Sequence, residues 1–200
     1  NRGGGSFYTL DQIEPIYHLC RLKNMYLHLD GARIFNALAE SGDDPKEYGR
    51  MFDGISVCLS KGLGAPVGSV LLGSRETIYH ARRIRKALGG GWRQAGYLAA
   101  AGIYALDHHI DRLKIDHKNA KTLAETLISL PFVSSIMPAD TNIVIFELDK
   151  KHNPDEFVEK LKHHGVKCNT FGKQMIRFVT HLDISDDQLG YTIEVLKKMH

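Results

Sequence analysis

Two short apolar runs that each end on a charge constrain this chain more than any other feature. Met25 to Leu29 stops at Asp30, and Ile55 to Leu59 stops at Ser60-Lys61. Runs of that length are too short for core helices and match buried strands. Helical patterning surrounds them. Thr9-Leu10-Asp11-Gln12 reads as a capping box. Ile13, Ile16, Tyr17 and Cys20 then repeat with helical period, and Lys23-Asn24 suits the end of that helix. Val67 to Leu72 predicts a third strand, with Gly62, Gly64 and Gly68 tightening the connection to it. Buried strands with helical connections predict an α/β fold, a mostly parallel sheet flanked by helices. Three strands are too few for such a sheet, so part of it is expected from sequence outside these 200 residues. The opening Asn1-Arg2-Gly3-Gly4-Gly5, which has no methionine, likewise reads as a chain entered midway. His28, inside the first run, is expected to be a packed core histidine.

The texture changes further on. Ser74 caps a helix with Ile78 and Ala81 on one face and Arg82, Arg83, Arg85 and Lys86 toward its end, where the helix dipole favours cations. Gly89-Gly90-Gly91 stops it. An alanine-rich helix is expected from Trp92 to about His109, and a longer one from about Ile110 to Leu130, before Pro131. Strands are expected over Asn142 to Leu148 and Met175 to Val179. Asn153-Pro154 starts a helix whose apolar side is Phe157, Val158 and Leu161, and Gly165 ends it. Ser185 caps a last helix carrying Leu189, Ile193 and Leu196. These patterns divide the chain into residues 1–120, the end of a larger α/β domain, and residues 121–200, a small α+β domain.

Composition narrows the function classes. Hydrophobic residues make up 43% and charged residues 24%, the mix of a folded globular protein. A net charge of +3 is too mild to argue for nucleic acid. Cys20, Cys58 and Cys168 form no disulfide framework and fit a reducing compartment. Tyr97 to Leu106 is too short to span a bilayer, and no secretory signal opens the chain. A cytoplasmic location, with no membrane partner, is expected. His108-His109 and His163-His164 lack a coordinating set, and no metal is expected.

Lys61 and Asp30 are the candidates for chemistry. A lysine at the end of a buried strand needs a reason, because an unpaired ammonium is costly to bury. At the rim of a pocket such a lysine is suited to Schiff-base chemistry; otherwise it is a surface residue that starts a turn. Asp30 ends the neighbouring strand, with Arg33 three positions on. Ligands of parallel sheets sit outside the carboxyl ends of the strands. A carboxylate there can face the pyridine nitrogen of pyridoxal phosphate (PLP) and keep it protonated; otherwise Asp30 caps a helix over Ala32 to Glu40. The glycines match neither a dinucleotide-binding fingerprint nor a P-loop.

Longer motifs carry a resemblance. His28-Leu29-Asp30-Gly31-Ala32-Arg33, the stretch Ser60-Lys61-Gly62-Leu63-Gly64-Ala65-Pro66-Val67-Gly68-Ser69, and Gly89-Gly90-Gly91-Trp92-Arg93-Gln94-Ala95-Gly96 resemble the low-specificity threonine aldolases. These are fold-type I PLP enzymes of the β-eliminating lyase and threonine aldolase group. Asp140-Thr141-Asn142 and Arg177-Phe178-Val179-Thr180-His181 extend the resemblance. It implies that residues 1–120 are the C-terminal part of the large PLP-binding domain. It implies that Lys61 carries the cofactor as a Schiff base and that Asp30 pairs with its pyridinium nitrogen. Arg33 lies beside the cofactor and, with Arg177 from the small domain, holds the substrate carboxylate. Arg93 and Lys86 match basic residues near the phosphate. The implied reaction is cleavage of L-threonine or L-allo-threonine to glycine and acetaldehyde, in a homodimer or homotetramer. Other β-eliminating PLP lyases share the lysine and the aspartate, and a non-catalytic oligomerisation domain is a further alternative. The family's ring-stacking histidine, phosphate-gripping loop and carboxylate-binding serine have no match here, so these residues alone are expected to form an inactive fragment with a half-built site.

Overall fold

The computed structural model describes residues 3–199; Asn1 and Arg2, from the chain's unusual opening, lie outside the described residues. The chain divides into two compact units. One is Tyr8–Asp111, and the other runs from Arg112 onward and includes the residues before Tyr8.

The first unit contains α1 (Leu10–Leu22), β1 (His28–Gly31), α2 (Ile34–Ser41), α3 (Pro45–Met51), β2 (Gly54–Cys58), β3 (Ser69–Gly73), α4 (Arg75–Ala87) and α5 (Gly96–His108). Local chemistry sets the helix starts. The Thr9 amide donates to Gln12 Oε1 at 3.1 Å, and Ser74 Oγ accepts from the Thr77 amide at 3.1 Å. Asp44 accepts from the Lys46 amide with Pro45 at the first helical position, which starts α3. The strand order is β1-β2-β3, with β1 and β2 parallel and β2 and β3 antiparallel. Connection length explains the difference. Residues 30–54 hold two helices and can cross over, whereas Cys58 pairs directly with Ser69 across a loop too short for a crossover.

The core of this unit is small. Ile13, Tyr48, Ile55 and Val57 are buried, and Leu29, Ile34, Phe35 and Phe52 pack against them. Burial departs from the sequence expectation on both sides of β2. Met25 and Tyr26 are exposed and precede β1, and His28 is exposed rather than a core histidine. Val70, Leu71 and Leu72 of β3 are 41–48% exposed despite their apolar character. Both are outer strands, and an apolar run is buried only where a second layer covers it. Helix α5 starts at Gly96 rather than at Trp92, with Gln94 at φ 51° just before it. The hairpin polarity of β2 and β3 comes from loop length rather than from strand composition.

The second unit contains α6 (Leu113–Leu127), β4 (Val133–Ile136), β5 (Ile143–Leu148), α7 (Pro154–His163), β6 (Asn169–Thr170), β7 (Met175–Val179) and α8 (Asp186–Lys198). Its sheet is antiparallel throughout, in the order β4-β5-β7-β6. Val144, Phe146, Ile176 and Phe178 form one inner face with Leu123, Leu127, Phe157, Leu161 and Leu196. Full burial of each such side chain stabilises by roughly 1.5–3 kcal/mol before entropy is counted. Asn153 accepts from the Asp155 amide at 2.9 Å and the Glu156 amide at 3.3 Å ahead of α7. Ser185 and Gln188 cap α8 reciprocally. The residues before Tyr8 join this unit, where Thr141 Oγ1 donates to the Gly5 carbonyl at 2.7 Å.

Candidate active site

Parallel pairing organises the first unit's candidate residues. Asp30 pairs with Ser56 and Gly31 with Val57, so β1 and β2 end at the same sheet edge. Asp30 is the penultimate residue of β1, and Lys61 lies three residues beyond Cys58, the last of β2. Gly31 is required there. A Cβ at that position would sit 2.8 Å from the Ser56 carbonyl oxygen, and backbone cannot yield as a flexible side chain can. Upstream, Asp53 ties the start of β1 to β2. Its carboxylate accepts from the Leu27 amide at 2.8 Å and from Arg21 at 3.0 Å. The Leu27 bond, with Arg21 beside it, holds the Asp53 carboxyl below the usual range.

The Asp30 side chain is exposed and accepts from the Ala32 amide at 3.2 Å. That bond closes a local turn and engages one of its two oxygens. The residue at the N-cap of α2 is Arg33, which is half-buried, and not Asp30. Lys61 is half-buried in a loop braced by its own backbone. Leu59 donates to the Gly68 carbonyl at 3.0 Å, Ala65 to the Leu59 carbonyl at 3.0 Å, and Gly64 to the Lys61 carbonyl at 2.9 Å. Gly62, Leu63 and Ala65 are buried. Helix α5 packs against this loop. A Cβ on Gly102 would lie 3.0 Å from Leu59 Cδ1, and His109 Nδ1 lies 2.6 Å from the Leu63 carbonyl oxygen. The sequence shows His109 only as half of a pair without a coordinating set; 46 residues separate it from Leu63, and no local pattern links the two.

Lys86 and Arg93 are both exposed, on the last turn of α4 and on the connection to α5. The Gly89 and Gly90 amides donate back to the Lys86 and Arg85 carbonyls, folding that connection over the helix end. Lys86 Nζ lies 3.5 Å from the Gly91 carbonyl oxygen, at the limit of a hydrogen bond.

Arg177 belongs to the second unit. It sits on β7 opposite Ile145 and Asn169, on the sheet face away from Ile176 and Phe178. Its Cζ lies 5.4 Å from the Phe171 ring centroid, within range of a cation–π contact. Arg177 Nε is buried and meets no acceptor among the described residues. A buried guanidinium donor left so is unfavourable, and a carboxylate is the group that satisfies it best. An amine and a carboxylate at one sheet edge can attach an aldehyde cofactor and hold a cationic ring nitrogen.

Comparisons with known proteins show the family. A family model described as beta-eliminating lyase matches residues 1–151. The low specificity L-threonine aldolase of Escherichia coli K12 is 42% identical over 190 residues, covering 95% of this chain and 56% of that protein. The low-specificity L-threonine aldolase of Eremothecium gossypii is 40% identical over 189 residues, covering 92% and 47%. The chain therefore spans about half the length of the curated relatives it matches. Among solved structures, the threonine aldolase of Leishmania major superposes with a TM-score of 0.80 at 21% identity, covering 98% of this chain and 58% of that one. The histidinol-phosphate aminotransferase of Clostridium acetobutylicum reaches 0.73 at 16% identity, covering 98% and 60%. At those identities the likeness shows a shared fold and nothing finer.

Proposed function

Because the chain belongs to the beta-eliminating lyase family, we propose that the intact protein is a PLP-dependent aldehyde-lyase that cleaves L-threonine or L-allo-threonine to glycine and acetaldehyde. The observation that carries this reading is the parallel register of β1 and β2, which brings Asp30 and the Lys61 loop to one sheet edge. PLP, when bound, supplies an electron sink for the bond broken at Cα. The chain's own residues bind and orient. Lys61 contributes the attaching amine, and its braced loop limits where that amine can go. Asp30 would pair with the ring nitrogen through the oxygen not engaged by Ala32. Arg33 would sit beside the ring. Lys86 and Arg93 would supply positive charge for the phosphate.

Arg33 and Arg177 are proposed as the ligands of the substrate carboxylate, and the buried Nε of Arg177 supports that role. A homodimer or homotetramer is supported by Tyr79, Leu88, Trp92 and Tyr97, which are 70–93% exposed along α4, α5 and the connection between them. No helix among the described residues is long and apolar enough to cross a membrane, and a cytoplasmic location is part of the proposal.

Borohydride treatment of the intact protein with PLP, followed by peptide mapping, tests the attachment. A reduced pyridoxyl group on Lys61 is expected, and a label elsewhere sinks the assignment. Incubation with L-threonine should then release acetaldehyde and glycine in equal amounts. Ammonia with a keto acid would instead identify an eliminating lyase that shares the same lysine and aspartate.

A further inference from the structure

We propose that His109 is a positioning residue for Lys61, acting through the Leu63 carbonyl; this rests on the reading of Lys61 as the cofactor-bearing lysine. Three backbone bonds brace the loop over residues 59–68, and all three are internal to it. The bond from His109 Nδ1 at 2.6 Å reaches the loop from a different element, just past the end of α5. It ends on Leu63, two residues from Lys61, and the Leu63 side chain is 2% exposed.

The chemistry of that bond has one direction. A carbonyl oxygen only accepts, so Nδ1 must carry the proton and donate it. A neighbouring ring borders the imidazole on one side. The Tyr104 ring meets it edge-on, at 5.5 Å between centroids and 84° between planes. Tyr104 is itself stacked on His108 at 4.2 Å, and His108 Nδ1 is engaged by the Tyr104 carbonyl at 2.9 Å. The last turn of α5 thus fixes one histidine with the other's neighbour and aims its N–H at the lysine loop. Gly102, about two turns earlier, lies against the same loop: a Cβ there would meet Leu59 Cδ1 at 3.0 Å, and that side chain would have to give way slightly.

An attaching lysine works only if its amine is presented at a repeatable place, since small displacements of a reacting group are costly in rate. The loop's internal bonds fix its shape. The His109 bond fixes where that shape sits on α5. Without it the Lys61 loop loses its anchor, and its internal bonds open more often.

Substitutions separate the bond from the ring. In His109→Asn the amide N–H falls near the place of Nδ1, whereas in His109→Gln it falls farther out, and His109→Ala has neither donor nor ring. The intact protein is used for all four forms. Hydrogen exchange is followed at the Gly64 and Ala65 amides, whose bonds hold the loop. With one anchoring bond lost, exchange there should rise about tenfold in the Ala and Gln forms, while the Asn form stays near wild type. In the PLP-loaded protein kcat should fall in the same two forms with KM held, because the loop touches Lys61 and not the substrate carboxylate. Equal exchange in all four forms overturns the proposal. So does an Asn form that behaves like the Ala form, which would assign the effect to ring packing. Faster exchange spread over β2 and α5 would also overturn it, as a general loss of folding. The exchange readout does not depend on the cofactor. A failure to label Lys61 with borohydride would therefore sink the functional reading and leave the loop anchor to be judged separately.

Discussion

The two units are stabilised in different ways. From Arg112 onward, fourteen buried residues form one apolar cluster, and five of the six residues of β5 are buried. In Tyr8–Asp111 the corresponding cluster has four buried residues, β3 is exposed along its whole length, and α4 buries none of its residues. Apolar sequence is not lacking in the first unit; it lies on surfaces that these residues do not cover. The unit bearing Asp30 and Lys61 has the smaller apolar core, with polar stitches such as Asp53 to Leu27 and Tyr48 to Asp43; the other has the larger core and also most of the buried polar residues, among them Asp116, Asn142 and Thr180. Function and stability should therefore respond differently to changes in each.

The largest contrast is chemical. Lys61→Ala should abolish borohydride-stable attachment of PLP altogether, because among the described residues Lys61 is the lysine that directly follows β1 or β2 at that sheet edge. Arg177→Ala should leave attachment intact and raise KM for threonine by about tenfold or more, the effect of losing one charged hydrogen-bond partner. Peptide mapping and steady-state kinetics on the intact protein check both. Loss of attachment in the Arg177 variant would break the division of roles.

The next contrast is packing. Phe146 is fully buried, with the Phe157 and Phe178 rings centred 6.1 Å and 6.0 Å away. Phe146→Ala should cost about 3–5 kcal/mol, and Ile55→Ala, in the smaller core, about 2 kcal/mol. Denaturant unfolding with hydrogen exchange assigned to each unit would measure both. Equal losses would mean that the first unit is packed as tightly as the second.

The same contrast explains what the sequence makes legible. The strands β2, β5 and β7 announce themselves by short apolar runs, and α1, α4, α7 and α8 by Thr9, Ser74, Asn153 and Ser185 at their starts. Helix α3 has a start signal in Asp44-Pro45, but its seven residues carry too little periodicity to announce a helix. Strand β4 centres on Ser134-Ser135 and β6 has two residues, so neither carries an apolar run. Composition without context overstates burial at His28 and along β3. Lys61 and Asp30 stand out as charges that end apolar runs. The anchor from His109 to Leu63 does not, since only the fold brings together residues so distant in sequence.

Polar stitching in the first unit predicts a response to alkali. Tyr48 is 3% exposed, and its hydroxyl donates to Asp43 at 3.1 Å. Burial, then the Asp43 carboxylate, push its pKa from an ordinary 10 up to about 12. The folded state thus holds the proton more tightly than the unfolded state does. That stabilisation is complete below pH 10 and is lost as pH rises through about 12, a span of roughly 2–3 kcal/mol. Stability followed between pH 9 and 12.5 should fall in wild type and fall less steeply in Tyr48→Phe. Parallel curves would show that Tyr48 does not govern the alkaline limit.

The smallest effect tests the stitching directly. Asp53 holds a depressed pKa chiefly through the Leu27 amide, with Arg21 contributing less. Its contribution is therefore fully present above the usual carboxylate range and is lost as pH falls below that range, through the depressed folded-state value. Asp53→Ala should destabilise the first unit at neutral pH, and the difference from wild type should close below about pH 4. Arg21 is exposed and Asp53 half-buried, so salt screens their pairing more than it weakens the amide bond. Raising the salt to about 1 M should then leave most of the difference in place. If salt erased it, the ion pair would be the stitch and the backbone bond incidental. Amide exchange at Leu27 distinguishes the two, because it reports the bond itself: it should quicken in Asp53→Ala at any salt concentration and stay slow in Arg21→Gln.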